Sequence, residues 1–80
     1  MDRIEIVLKN IKKIRKHKNF TQLDVATKLN ISQNAYSKIE LGYTLISLSI
    51  LFKIADVFGQ DVTELLLIDN IIKQKSWQYN

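Results

Sequence analysis

Apolar residues recur every three or four positions through most of this chain, and the breaks in that rhythm fall on turn-forming residues. Ile4, Val7, Leu8, Ile11 and Ile14 share one face of a segment running from Asp2 to about Lys18. Glu5, Lys9, Lys12, Lys13 and Lys16 fill the other face, which predicts an amphipathic helix. A second helix is expected over Gln22–Leu29. Thr21 is its N-cap candidate, Asp24 completes a capping box, and Phe20 and Val25 hold the positions of a hydrophobic staple. Asn30 then stands at a sharp turn, and Asn enters the left-handed region at lower cost than most residues that carry a side chain. Ser32 caps a third helix, Gln33–Leu41, with Ile31 and Tyr36 as a second staple pair and Gly42 as its terminator. Val25, Ala26, Leu29, Ile31, Tyr36 and Ile39 face a shared interior. Thr21–Gly42 therefore reads as two helices joined by a turn with almost no freedom in length, a helix-turn-helix unit.

Ser47 caps a fourth helix carrying Leu48, Leu51, Phe52, Ile54, Ala55 and Phe58 and stopping at Gly59. The β-branched and aromatic content of residues 44–52 permits a strand, but the helical period continues to Phe58 and decides for a helix. Asp61 and Glu64 form another capping box and open a fifth helix through Val62, Leu65 and Leu66. Beyond Ile68 the pattern blurs: residues 69–80 extend the fifth helix, form a separate short one, or fray. The expected fold is all-α, a compact five-helix domain over residues 1–68 followed by a C-terminal extension, 69–80, in which an extra helix is left open.

Composition narrows the function. Eighty residues make one small domain, and chains of this size bury only about 60% of their unfolded surface. The sequence has no cysteine, so neither a disulfide nor a thiolate metal site supplements the core. The start, MDRIEIVLKN, is broken by charge every few residues and does not read as a secretory h-region. The longest uncharged run, Leu41–Phe52, has 12 residues, too few to span a bilayer. A soluble, cytoplasmic protein is expected, with no membrane partner. Residues 1–19 carry seven Lys or Arg against Asp2 and Glu5, a net of +5, whereas residues 20–80 carry a net of −1. A basic end on a near-neutral body suits a polyanion, although it is equally the solvated face of the first helix. No enzyme is expected: the sole histidine, His17, lies among lysines without a carboxylate cluster, and neither a phosphate-cradling Gly loop nor a nucleophile elbow occurs. No metal site and no cofactor is read from the chain.

From residue 9 to 67 the sequence resembles the lambda-repressor-like family, which gathers phage Cro and repressor DNA-binding domains and the xenobiotic-response-element regulators. The resemblance rests on the helix-turn-helix core, on SKIE followed by Gly42, and on ISLSILFKIADVFGQDVTELL, all without a gap in the five-helix plan. It implies a transcription regulator that binds double-stranded DNA, with helix 33–41 in the major groove. Gln22 resembles the residue that holds a phosphate, and Gln33 the one that reads an adenine edge, where an amide matches N7 and N6. Asn34, Ser37 and Lys38 share a helical strip with Gln33. Ser32 can donate its hydroxyl to the DNA backbone, and Tyr36, though matched to a buried position, to a phosphate at the edge. Arg15 and Glu40 resemble a family ion pair, the alternative being two unrelated surface charges. Two departures stand out. Asn30 replaces the usual Gly, and the loop after Gly42 reads Tyr43, Thr44, Leu45, Ile46 where Lys or Arg is common. Tyr43 and Thr44 can still donate hydrogen bonds, but few cations on this face predict a shallow salt dependence.

One recognition helix reads about 4–6 base pairs, too few to single out a genomic site, so a homodimer on a palindromic operator is expected. Leu65, Ile68, Ile71 and Ile72 form an apolar strip with Trp77 and Tyr79 as anchors, and this is the expected dimer interface. The same strip could instead cover the protomer's own core. The competing function is an antitoxin or adaptor whose main role is to hold a partner protein such as a toxin.

Overall fold

The structure, a computed structural model, describes residues 2–67. Helices α1 (Arg3–His17), α2 (Gln22–Leu29), α3 (Gln33–Leu41), α4 (Leu48–Phe58) and α5 (Val62–Leu66) follow in order, and no strand occurs among the described residues. Each helix begins on a side chain that accepts a backbone N–H left without an intrahelical partner. Asp2 takes that of Glu5, Thr21 that of Asp24, Ser32 that of Ala35 and Ser47 that of Ile50. The box at Thr21 is reciprocal, because Asp24 Oδ2 accepts the Thr21 N–H at 2.8 Å. The box read between Asp61 and Glu64 does not close. Asp61 Oδ1 instead accepts both the N–H and the hydroxyl of Thr63, at 3.0 and 2.9 Å, since Thr63 offers two nearer donors.

The first four helices also end alike. A residue with positive φ (Asn19, Asn30, Gly42 or Gly59) reverses the chain, and the next N–H reaches back to a carbonyl five residues earlier, as Phe20 does to Arg15 and Ile31 to Ala26. Asn19 escapes the sequence reading, although it follows a basic last turn just as Asn30 does. At Gly42, where φ is +84°, an added Cβ would also meet Leu8 Cδ1 at 3.3 Å. Gly42→Ala is expected to cost about 1–2 kcal/mol, measured as a shift in the urea midpoint. Gly59→Ala, with no neighbour within 4 Å, supplies the backbone penalty alone. Equal losses in the two variants would mean that Leu8 simply yields.

Helix α2 lies against α3 and α4, while α1 packs on α3, α4 and α5. Ile11, Val25, Ala26, Tyr36, Ile54, Phe58 and Leu65 form the centre of the shared core. Phe20 stacks on Phe58 with ring centroids 6.2 Å apart, so the α1–α2 turn is tied to the end of α4. Asn10 on α1 donates to the carbonyls of Leu65 and Leu67 at 3.0 and 2.7 Å, holding the five-residue α5 in place.

One apolar assignment changes. Leu65 is wholly buried in the protomer's core and is therefore withdrawn from the dimer strip. The other members of that strip, Ile68, Ile71, Ile72, Trp77 and Tyr79, lie outside the described residues, as does the extension 69–80. Leu48 and Phe52, by contrast, stand exposed on α4, because α1, α2 and α5 cover only the side bearing Leu51, Ile54, Ala55 and Phe58. No helix among the described residues is long and apolar enough to cross a membrane.

Candidate nucleic-acid interface

The orientation of α3 follows from what it buries. Tyr36, Ile39 and Glu40 turn inward. One helical face is thereby left to solvent, carrying Gln33, Asn34 and Lys38, with Ser37 half-buried beside them. Leu41, more than half exposed, continues this strip by one turn. The sequence reading did not single it out, since an apolar residue at a helix end carries no signal of its own.

A buried ionic network fixes α3 to its neighbours. Arg15 grips Glu40 with both prongs of its guanidinium, Nε to Oε2 and Nη2 to Oε1, each at 2.9 Å. Its third nitrogen, Nη1, donates to the Phe20 carbonyl at 2.9 Å, so one side chain joins α1, the α1–α2 turn and α3. Tyr36 Oη donates to Glu40 Oε2 at 2.6 Å. That hydroxyl therefore points inward, which corrects the expectation that it reaches a phosphate. Gln22 Nε2, at the start of α2, donates to Glu40 Oε1 at 3.2 Å. The Glu40 side chain is only 2% exposed and that of Arg15 9%, and among the described residues no buried side-chain polar atom lacks a partner.

Burial alone would raise the Glu40 carboxyl, but hydrogen bonds from Arg15, Tyr36 and Gln22 outweigh it and hold the group below its ordinary value. Tyr36 is pushed well above the usual tyrosine range, first by burial and then by its bond to the Glu40 carboxylate. The Glu40 hydrogen bond raises Arg15 further. The network thus stays an ion pair braced by two neutral donors at neutral pH.

The remaining candidate residues surround this frame. Gln22 is half-buried, with its second amide hydrogen and its carbonyl oxygen unengaged by the bond to Glu40. Ser32 uses its oxygen as an acceptor for Ala35, which leaves its O–H able to donate outward. Tyr43 and Thr44 are exposed just past α3, and both backbone N–H groups are tied to the Lys38 carbonyl, at 2.9 and 3.2 Å. The N-termini of α2 and α3 each present backbone N–H groups beside these side chains, which suits an anion.

Residues 11–65 match the family described as Helix-turn-helix. A curated relative, the immunity repressor protein of Bacillus phage phi105, is 34% identical over 70 residues, a match covering 88% of this chain and 49% of that protein. The chain spans about half the length of this relative. No solved structure gives a comparable match.

Proposed function

The chain belongs to the helix-turn-helix family of the Cro and phage-repressor type, and on that footing we propose that it is a DNA-binding transcription regulator whose α3 reads the major groove. The observation that carries this reading is the exposed polar strip of α3, held in orientation by the buried Arg15–Glu40 pair. Gln33 pairs its amide with an adenine edge, while Asn34, Ser37 and Lys38 make the neighbouring contacts. Leu41 offers an apolar contact to a thymine methyl. Gln22, Ser32, Tyr43 and Thr44 set the register by bonding phosphates. The protein acts as a two-fold dimer, with half-sites about 34 Å apart on a palindromic site.

A mobility-shift assay on sites selected from a random duplex pool tests the assignment. Gln33→Ala is expected to cost about 1–3 kcal/mol and to relax preference at one base position. Gln22→Ala is expected to weaken all sequences alike and leave the preference unchanged. With Lys38 as the cation of the strip, affinity should fall only gently with salt. If Gln33→Ala and the parent protein bind every sequence equally, Gln33 is not a reader.

A further inference from the structure

We propose that the groove between α1 and α5 is a binding site for a small carboxylic acid with an apolar body, a role separate from the reading of DNA by α3. The groove has a volume of about 470 Å³, within the range of small-molecule sites. Ile14 and Leu67, both half-buried, supply its apolar lining. Asn10 on α1 fixes the two walls relative to each other, since its amide nitrogen donates to the carbonyls of both Leu65 and Leu67.

The polar groups of the groove suit an anion. Lys13 and Lys18 stand on the α1 side, with His17 one turn beyond Lys13. Glu64 stands on the α5 side, and Gln60, in the turn before α5, brings a side-chain amide. Among the described residues the one ion pair is Arg15–Glu40, so these lysines and Glu64 are not joined to each other. The carbonyls that end α1 would repel an anion. Those of Ile14, Arg15 and Lys16, however, already accept the N–H groups of Lys18, Phe20 and Asn19 at 2.9, 3.0 and 3.0 Å.

Charge and position select the ligand. With His17 neutral at pH 7, two lysines against one glutamate leave the groove a single positive charge. A monoanion matches it, whereas the dianion of a phosphate monoester brings one charge too many toward Glu64. Glu64 in turn accepts a hydrogen bond from a hydroxyl on the ligand. The duplex read by α3 is a poor occupant, because the groove lies on the α5 side of α1. Arg15 reaches α3 and Leu8 lies against Gly42 on the other side, and α3 does not touch α5.

Titration of the full 80-residue chain with para-hydroxybenzoate, followed through backbone amide shifts by NMR, tests the site. Saturable shifts are expected at Lys13, His17, Lys18, Gln60 and Glu64, with Gln33, Asn34 and Lys38 unmoved. Saturation at millimolar concentration suits so small a ligand. Neutral para-hydroxybenzamide should bind at least about tenfold more weakly. Lys18→Met should weaken the acid about threefold with helix content unchanged. Glu64→Gln should reverse the order of ligands, so that phenyl phosphate binds better than para-hydroxybenzoate. Absence of saturable shifts, equal binding of the acid and its amide, or shifts spread evenly to Lys9 and Lys12 overturns the proposal. Full affinity in Lys18→Met or an unchanged ligand order in Glu64→Gln does the same.

Discussion

Glu40→Ala is expected to cost about 3–5 kcal/mol, a large share of a total stability of order 5–15 kcal/mol. The loss exceeds that of a hydrogen bond because Arg15 remains buried with a full charge and no counter-ion, and Tyr36 Oη loses its acceptor. Urea unfolding at neutral pH measures it as a lower midpoint with an unchanged slope. The pair itself is a poor source of net stability, since desolvating two ions offsets most of their attraction. The combined variant Arg15→Met, Tyr36→Phe, Glu40→Leu should accordingly regain most of what Glu40→Ala loses. A single-variant loss below about 1 kcal/mol would put the pair in the class of solvent-screened surface bridges.

Acid should act through the same group. The folded-state value of Glu40 lies below its unfolded one, so its contribution is fully present above about pH 4.3, the ordinary glutamate value. It is lost as the pH falls through the depressed folded value. The caps Asp2, Asp24 and Asp61 are lowered by backbone hydrogen bonds and act in the same direction. Stability should be flat from neutral pH to about 5 and decline below that. In Glu40→Gln the decline should be shallower, and an identical acid profile would remove Glu40 from the titration.

Ala26→Leu carries the second large effect. Ala26 has no exposed surface, and its helix packs against both α3 and α4. Three added carbons crowd the centre of a close-packed core, so α2 must move away from its neighbours. Movement also strains the turn, because the Ala26 carbonyl accepts the Ile31 N–H at 3.0 Å. A cost of about 3 kcal/mol or more is expected, seen as a melting temperature lower by about 10–25 °C. Ala26→Gly, which weakens the helix without crowding it, should lose only about 1 kcal/mol. Similar melting of Ala26→Leu and wild type would contradict close packing at this position.

These outcomes depend on features of unequal visibility in the sequence. The caps at Thr21, Ser32 and Ser47 and the turn at Asn30 are legible because donor and acceptor lie within a few residues of each other. The ends of Gln22–Leu29 and Gln33–Leu41 follow from them. What the sequence hides is long-range. Asn10 looks like an ordinary polar residue of an amphipathic helix, but its partners are the carbonyls of Leu65 and Leu67. The apolar period of α4 places a helix without saying which side is covered, and only the packing of α1, α2 and α5 leaves Leu48 and Phe52 outside. Leu65 errs the other way: its strip of Leu and Ile reads as an outer face, and the packing of α5 on α1 and α4 buries it. Of the candidate reading strip, the polar character of Gln33, Asn34 and Lys38 is visible directly. The inward turn of the Tyr36 hydroxyl is not, because an amphipathic tip finds its partner only in three dimensions.

The turn between α2 and α3 works as a length standard. Asn30 ends one helix, Ile31 closes the backbone onto Ala26, and Ser32 starts the next, so none of the three residues is spare. An inserted residue would separate terminator from cap and swing the exposed face of α3 away from its bearing. Residues 43–47 join α3 to α4 with more chain to spare, although Thr44 bonds the Lys38 carbonyl and Ile46 packs on the core. Natural lineages and engineers alike should find added sequence better tolerated in this longer joint than in the three positions after Leu29, which are closed to any change in number.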